Sequence, residues 1–137
     1  MKTIKHLSAA LVSVLLLAGV ATQASAIDPE RLPSLRGGES PPHLIDGKDH
    51  YRISVKDSTQ LSIRSHVWTG ENPSVVRMSG RLLDVNGEVV AEGRREKGHF
   101  VLDQSVDPGE YILEVDGREI GGRQEGAKRY YLQTRMN

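Results

Sequence analysis

The sequence predicts an all-β fold, an antiparallel jelly-roll-like β-sandwich of about seven or eight strands, and three observations predict it. After residue 26 no stretch repeats its apolar residues at helical spacing, short runs alternate apolar with polar residues, and Gly, Pro, Asn and Asp interrupt the chain between those runs. Strands that bury one face each need a second sheet to bury it against, and a chain of this length supplies one such pair of layers.

Residues 1–26 read as a secretory signal peptide: Lys2 and Lys5 form the charged start, Ala9 to Val20 the apolar run, and Ala24-Ser25-Ala26 a small-residue cleavage site. That apolar run is shorter than the roughly 20 residues a membrane helix requires, so membrane insertion is not expected. The expected address is periplasmic or secreted. The 137-residue chain has no cysteine, which excludes disulfides, a thiol nucleophile and a lipid-anchored start. Removing the two lysines from 18 basic residues leaves 16 against 18 acidic ones, a net charge of −2 on residues 27–137. Long-range attraction to nucleic acid has no basis at that charge.

Residues 27–47 hold Pro29, Pro33, Gly37, Gly38, Pro41, Pro42 and Gly47 without periodicity, and read as an extended lead-in to a domain over 48–137. From His50 to Lys56 the residues Tyr51, Ile53 and Val55 share one face; after a polar turn, Leu61, Ile63, Ser65 and Val67 share one in the next run. Thr69 to Ser74 is a Gly/Pro loop. Val76, Met78, Gly80 and Leu82 follow at period two and end in Asp84-Val-Asn-Gly87, a type I turn in which Asp84 bonds its own backbone and Gly87 takes the left-handed position. Val89 to Glu92 is the return strand, Arg94 to Gly98 a charged loop, and Phe100 to Val106 a strand that ends at Asp107-Pro-Gly109. In Glu110 to Val115, Tyr111, Leu113 and Val115 face one way, and only Ile112 breaks the inside/outside code. Arg118 to Arg129 reads as a polar loop and Tyr130 to Met136 as the closing strand.

Leu35-Arg-Gly-Gly38, Gly47 to Val55, Leu82 to Gly87, Asp107 to Val115 and Tyr130 to Thr134, taken in that order, resemble the bacterial pre-peptidase C-terminal domain over nearly all of residues 27–137. The resemblance implies a jelly-roll-like sandwich. It also implies a non-catalytic module of the kind appended to secreted proteases and other exported hydrolases, serving secretion or the binding of substrate and matrix. Members often carry acidic residues before the central strand, where this chain has Arg77-Met-Ser-Gly-Arg81, so the calcium binding of related collagen-binding domains is not carried over. No catalytic domain accompanies the module in this sequence, so a role beside a hydrolase would work by association.

No nucleophile elbow, zinc-protease helix or phosphate loop occurs, and the expectation is a protein that is not an enzyme and has no cofactor. Calcium or zinc has no motif behind it. If the strands 50–56 and 61–67 formed a hairpin, His50 would lie opposite His66 on the outer face, as a two-ligand metal site or as two solvated imidazoles. Trp68, the single tryptophan, falls on the outward phase; it would stack on a sugar ring, anchor a protein, or cap the open end of the sandwich. Tyr130 and Tyr131 point to opposite faces, one to the core and one, taken as Tyr131, to a surface contact. Arg94 and Arg95 would meet an acidic polysaccharide or protein, or form a salt-bridged solvated face with Glu92 and Glu96.

Three functions follow in rank. The first is an exported binding module for a glycan or a protein; the second is a periplasmic accessory or inhibitor docking on an exported hydrolase, its lead-in binding as an extended strand; the third is a metal-handling protein. Homodimerisation through an unpaired edge strand is a further expectation.

Overall fold

The structure is a computed structural model, and it describes residues 27–68, 76–120 and 128–137. Residues 1–26, read from sequence as a signal peptide, and residues 69–75 and 121–127, which hold most of the two stretches read as loops, lie outside the described residues. Among the described residues no helix is long and apolar enough to cross a membrane.

A short 3-10 turn, Pro29–Arg31, precedes ten strands: β1 (Gly38–Glu39), β2 (His43–Leu44), β3 (Gly47–Val55), β4 (Thr59–Val67), β5 (Val76–Asp84), β6 (Val89–Glu92), β7 (Arg94–Glu96), β8 (His99–Val106), β9 (Gly109–Glu119) and β10 (Arg129–Met136). They build two antiparallel sheets. One has four strands in the order β3-β9-β5-β6; the other has six, β1-β10-β4-β8-β7, with β2 also on β10. The sandwich is therefore as expected, with the extra strands coming from segments read as coil. β1 and β2 come from the lead-in, and Arg94–Glu96 pairs with β8 instead of looping free. Lys97 and Gly98 make the turn there with φ of 51° and 87°.

Alternation decides the layers. Tyr51, Ile53 and Val55 on β3, Leu61 and Ile63 on β4, Met78 and Leu82 on β5, Phe100 and Leu102 on β8, Leu113 and Val115 on β9, and Tyr130 and Leu132 on β10 fill one core between the sheets. The Asp84 turn forms as expected: Asp84 Oδ1 accepts from the backbone N–H groups of Asn86 at 2.9 Å and Glu88 at 3.0 Å, and Gly87 has φ of 84°. Tyr111 is half-buried, and its hydroxyl donates to the Asp107 carbonyl at 2.7 Å.

Gly80 faces inward on β5 with the Phe100 ring directly over it, where a Cβ would stand 2.5 Å from Phe100 Cε2. Gly93, which hands the chain from β6 in one sheet to β7 in the other, donates its N–H to the Gly80 carbonyl at 2.8 Å. These two glycines let the sheets close at that edge.

The lead-in is part of the sandwich. Arg52 donates to the Pro33 carbonyl and accepts from the Leu35 N–H, each at 2.8 Å, so residues 33–35 run along the free edge of β3. Leu35 is 5% exposed and joins the core. The chain then crosses to the other sheet, where β1 and β2 pair with β10. The turn Pro29–Arg31 packs near β3 and β9, and Ile112 on β9, outward by the alternation, is nonetheless 1% exposed. The backbone groups with which the lead-in would bind a partner as an extended strand are thus largely spent within its own domain. Among the described residues the outermost strands are β3, bonded by the lead-in only at Arg52, and β6 in one sheet, and β7 and the short β1 and β2 in the other.

At the open end, His43 on β2 lies edge-on to the Tyr51 ring at 5.4 Å and tilted against Tyr130 at 5.8 Å. The Tyr130 hydroxyl donates to Asp49 Oδ2 at 2.5 Å and shares a 2.6 Å bond with the Tyr51 hydroxyl. Burial raises both phenols, Tyr51 to about 12 against the opposing hydrogen bond with Tyr130, while the hydrogen bonds to Asp49 and Tyr51 push Tyr130 further up, so both stay protonated.

Candidate functional site

The assumed hairpin of His50 and His66 does not form. β3 and β4 are consecutive in sequence but lie in different sheets, because the short connection 56–58 crosses from one layer to the other. The two histidines stand on opposite outer faces of the sandwich. His50 pairs across to Glu114 on β9, with Nε2 3.1 Å from Glu114 Oε2. The same carboxylate receives Arg81 Nε at 2.8 Å and has Lys48 Nζ at 4.0 Å. Burial alone would raise the Glu114 carboxyl, but the hydrogen bonds from Arg81 and His50, with the charges of Arg81 and Lys48, hold it below the usual range. Among the described residues no group of three or more His, Asp or Glu side chains converges to hold a metal ion.

His66 instead joins Tyr131 and Trp68. The outer face of the six-stranded sheet presents Ser62, Arg64 and His66 from β4, then Trp68 just beyond it, beside Tyr131, Gln133 and Arg135 from β10. Register sets the contacts: Tyr131 lies opposite His66, Gln133 opposite Arg64, and Arg135 opposite Ser62. The His66 and Tyr131 rings stack with centroids 5.1 Å apart and 19° between planes, and Trp68 meets Tyr131 edge-on at 6.0 Å. Trp68 is 41% exposed, and its backbone N–H donates to the Arg129 carbonyl at 2.9 Å, which fixes the residue although β4 has ended. The indole is thus a surface group beside an aromatic stack.

Arg64, Arg135, Ser62, His66 and Gln133 line a shallow groove of about 350 Å³ next to this stack. Among the described residues no carboxylate lines it. The groove therefore runs from a guanidinium end, where Ser62 lies opposite Arg135, past the Gln133 amide to an aromatic end. His99 on β8 lies on the far side of His66, their rings 6.0 Å apart. Inward-facing Ser65 positions it, because Ser65 Oγ accepts the Phe100 N–H at 2.9 Å just where the β4–β8 ladder stops. Burial first, and the His66 charge second, lower the His99 imidazole's affinity for a proton, with Glu96 opposing. Val101, between Arg64 and Arg94 in register, is 4% exposed although it points outward, since arginine stems shelter it.

Of the residues singled out from sequence, Trp68, Tyr131 and His66 come together here. Arg94 shares the face one strand beyond, its Nη2 4.0 Å from Asp103 Oδ2. Arg95 points the other way and lines a groove on the four-stranded sheet, as a neighbour in a strand must. Sequence reasoning missed Arg64, Gln133, Arg135 and His99. The outward phase of β4 marked Arg64, but its proximity to Arg135 depends on a β4–β10 pairing between strands nearly seventy residues apart.

No family model matches this sequence, and no curated protein matches it. Among solved structures the chain is similar to the pre-peptidase C-terminal domain of a collagenase from Bacillus anthracis, with a TM-score of 0.57 over 80% of this chain and 99% of that domain. The fold is that of a pre-peptidase C-terminal domain. Sequence identity to the collagenase domain is 18%, so the likeness is one of fold. The pre-peptidase C-terminal fold accounts for the two antiparallel sheets; the aromatic and arginine groove is argued from this chain's own residues.

Proposed function

We propose that this protein is a non-catalytic, exported binding module that holds an acidic polysaccharide on the outer face of the six-stranded sheet. The observation that carries the reading is the groove between β4 and β10: two guanidiniums, no lining carboxylate among the described residues, and an aromatic stack at one end. A uronate unit needs these parts. Its carboxylate suits the planar fork of Arg64 or Arg135, its hydroxyls suit Gln133 and Ser62, and the apolar face of a sugar ring suits Trp68 or Tyr131. An open, shallow groove admits a chain passing through, and a polymer contacted at several sugars does not need a deep pocket. The signal-like start at residues 1–26 supports export.

Affinity electrophoresis of the purified protein through gels containing polygalacturonate or a neutral glucan tests this. The expected result is retardation by the polyuronate, lost in Trp68→Ala and in Arg64→Gln while their melting temperatures hold. Retardation equal in both variants would remove the site. Capture of a single stoichiometric envelope protein, with no polysaccharide response, would return the reading to an accessory protein.

A further inference from the structure

The outer face of the four-stranded sheet carries a second arrangement that the glycan groove does not use. Arg77 on β5 and Arg118 on β9 are direct register partners, and both side chains are exposed on the same face. Like charges placed directly opposite in a sheet repel, so this pairing works against folding. Arg118 has an ion pair only with Asp116, at 3.5 Å, and Arg77 has no ion pair among the described residues. A third guanidinium is sent to the same place from the other sheet. The turn at Gly93 brings Arg95 of β7 back over β5, where Arg77, Ser79, Arg95, Asp116 and Arg118 line an open surface cavity of about 210 Å³. It adjoins a groove of about 440 Å³ that shares Ser79, Arg95 and Asp116 and adds Lys48 and Arg81, balanced there by the carboxylates of Glu92 and Glu114.

We propose that this cavity binds a phosphate group, carried by a soluble phosphate ester or by a lipid headgroup. Three guanidiniums against one carboxylate leave two positive charges, which matches a phosphate dianion. Shape favours phosphate over a carboxylate, because a planar carboxylate is filled by one guanidinium fork, whereas a tetrahedral anion offers oxygens in three directions. The Ser79 hydroxyl, 3.5 Å from the Asp116 carbonyl, is held only weakly and is free to turn to the anion. The adjoining groove gives the remainder of the molecule somewhere to lie. The bound anion removes the Arg77–Arg118 repulsion, which gives that costly pair its purpose.

The test is titration of the purified protein with inorganic phosphate at constant ionic strength, followed by amide NMR. Saturable shifts are expected around residues 77–79, 95 and 116–118. Arg77→Gln and Arg95→Gln should each weaken binding by about tenfold or more, Arg77→Lys by less, and Trp68→Ala not at all, which separates this site from the glycan groove. Arg77→Gln removes a repulsive pair, so it should melt no lower than the parent, and lost binding cannot then be put down to unfolding. In a second arm, phosphatidylcholine vesicles with and without phosphatidic acid, whose phosphomonoester can carry two charges, are sedimented with the protein. Cosedimentation that needs phosphatidic acid and Arg95 identifies a headgroup, and a response to inorganic phosphate alone identifies a soluble ester. Absence of a saturable response in both arms, or a response unchanged in Arg77→Gln and Arg95→Gln, overturns the proposal.

Discussion

Gly80→Ala is the sharpest test of how the two sheets close on each other. The added methyl would stand 2.5 Å from Phe100 Cε2, 2.6 Å from Cζ and 2.8 Å from Cδ2, whereas relaxed carbon contacts lie at about 3.5–4.0 Å. The ring must therefore retreat by about 1 Å. It has little room to do so: Phe100 is fully buried, and its Cδ2 already lies 3.1 Å from where a Cβ on Gly93 would be. Overpacking of this kind costs about 1–3 kcal/mol, and three overlaps against a confined ring put the expected loss near the upper figure. For a domain of this size that lowers the melting temperature by roughly 10–20 °C. Calorimetry on Gly80→Ala, Phe100→Leu and the double variant supplies the assay. The smaller side chain should relieve the clash, so the double variant should be more stable than the sum of the single losses by about 1 kcal/mol or more. A Gly80→Ala protein that melts within about 2 °C of the parent would refute the packing argument.

Other outcomes follow from the same structure. Leu35→Ala should cost about 2–5 kcal/mol in urea unfolding, because a lead-in side chain that is 5% exposed fills the core; a loss below about 1 kcal/mol would mean the strap does not matter to stability. Tyr130→Phe should cost about 1.5–3 kcal/mol and Tyr51→Phe less, since only the former strips the Asp49 carboxylate of its phenol donor; the reverse order in urea unfolding would contradict the hydrogen-bond chain. Acid should destabilise the fold in two stages. His99 binds its proton less readily folded than at its unfolded value of 6.5, so below that pH the unfolded chain holds more protons and stability falls. Glu114 contributes stability above its unfolded value of 4.5 that is lost as pH drops through its lower folded value. Melting curves against pH should show the first stage vanish in His99→Gln and the second persist.

The layers were legible in the sequence because burial on one face writes period-two alternation into each strand, as at Tyr51, Ile53 and Val55 or Leu61 and Ile63. Asp84 to Gly87 was legible because turn chemistry is local. Pairing was not. Whether β3 turns back on β4 or crosses to the opposite sheet depends on energies summed over strands far apart, and alternation is the same in both cases. That ambiguity is why His50 looked like a neighbour of His66, and why Arg135 was not connected with Arg64. The lead-in escaped notice for a similar reason: two-residue strands such as β1 and β2 are held by β10, with no propensity of their own. Gly80 read as one more inward position, since only the Phe100 ring above it explains the missing side chain.

The most direct test of the glycan groove uses the protein's only tryptophan as its own reporter, because Trp68 sits at the aromatic end of the site. Fluorescence is followed as purified protein is titrated with an oligogalacturonate and, separately, with a neutral oligosaccharide of the same length. A saturable change in Trp68 emission for the acidic sugar, lost in Arg64→Gln together with Arg135→Gln, is the predicted result. Emission that does not respond, or that responds equally to the neutral sugar and in the arginine variants, would contradict it.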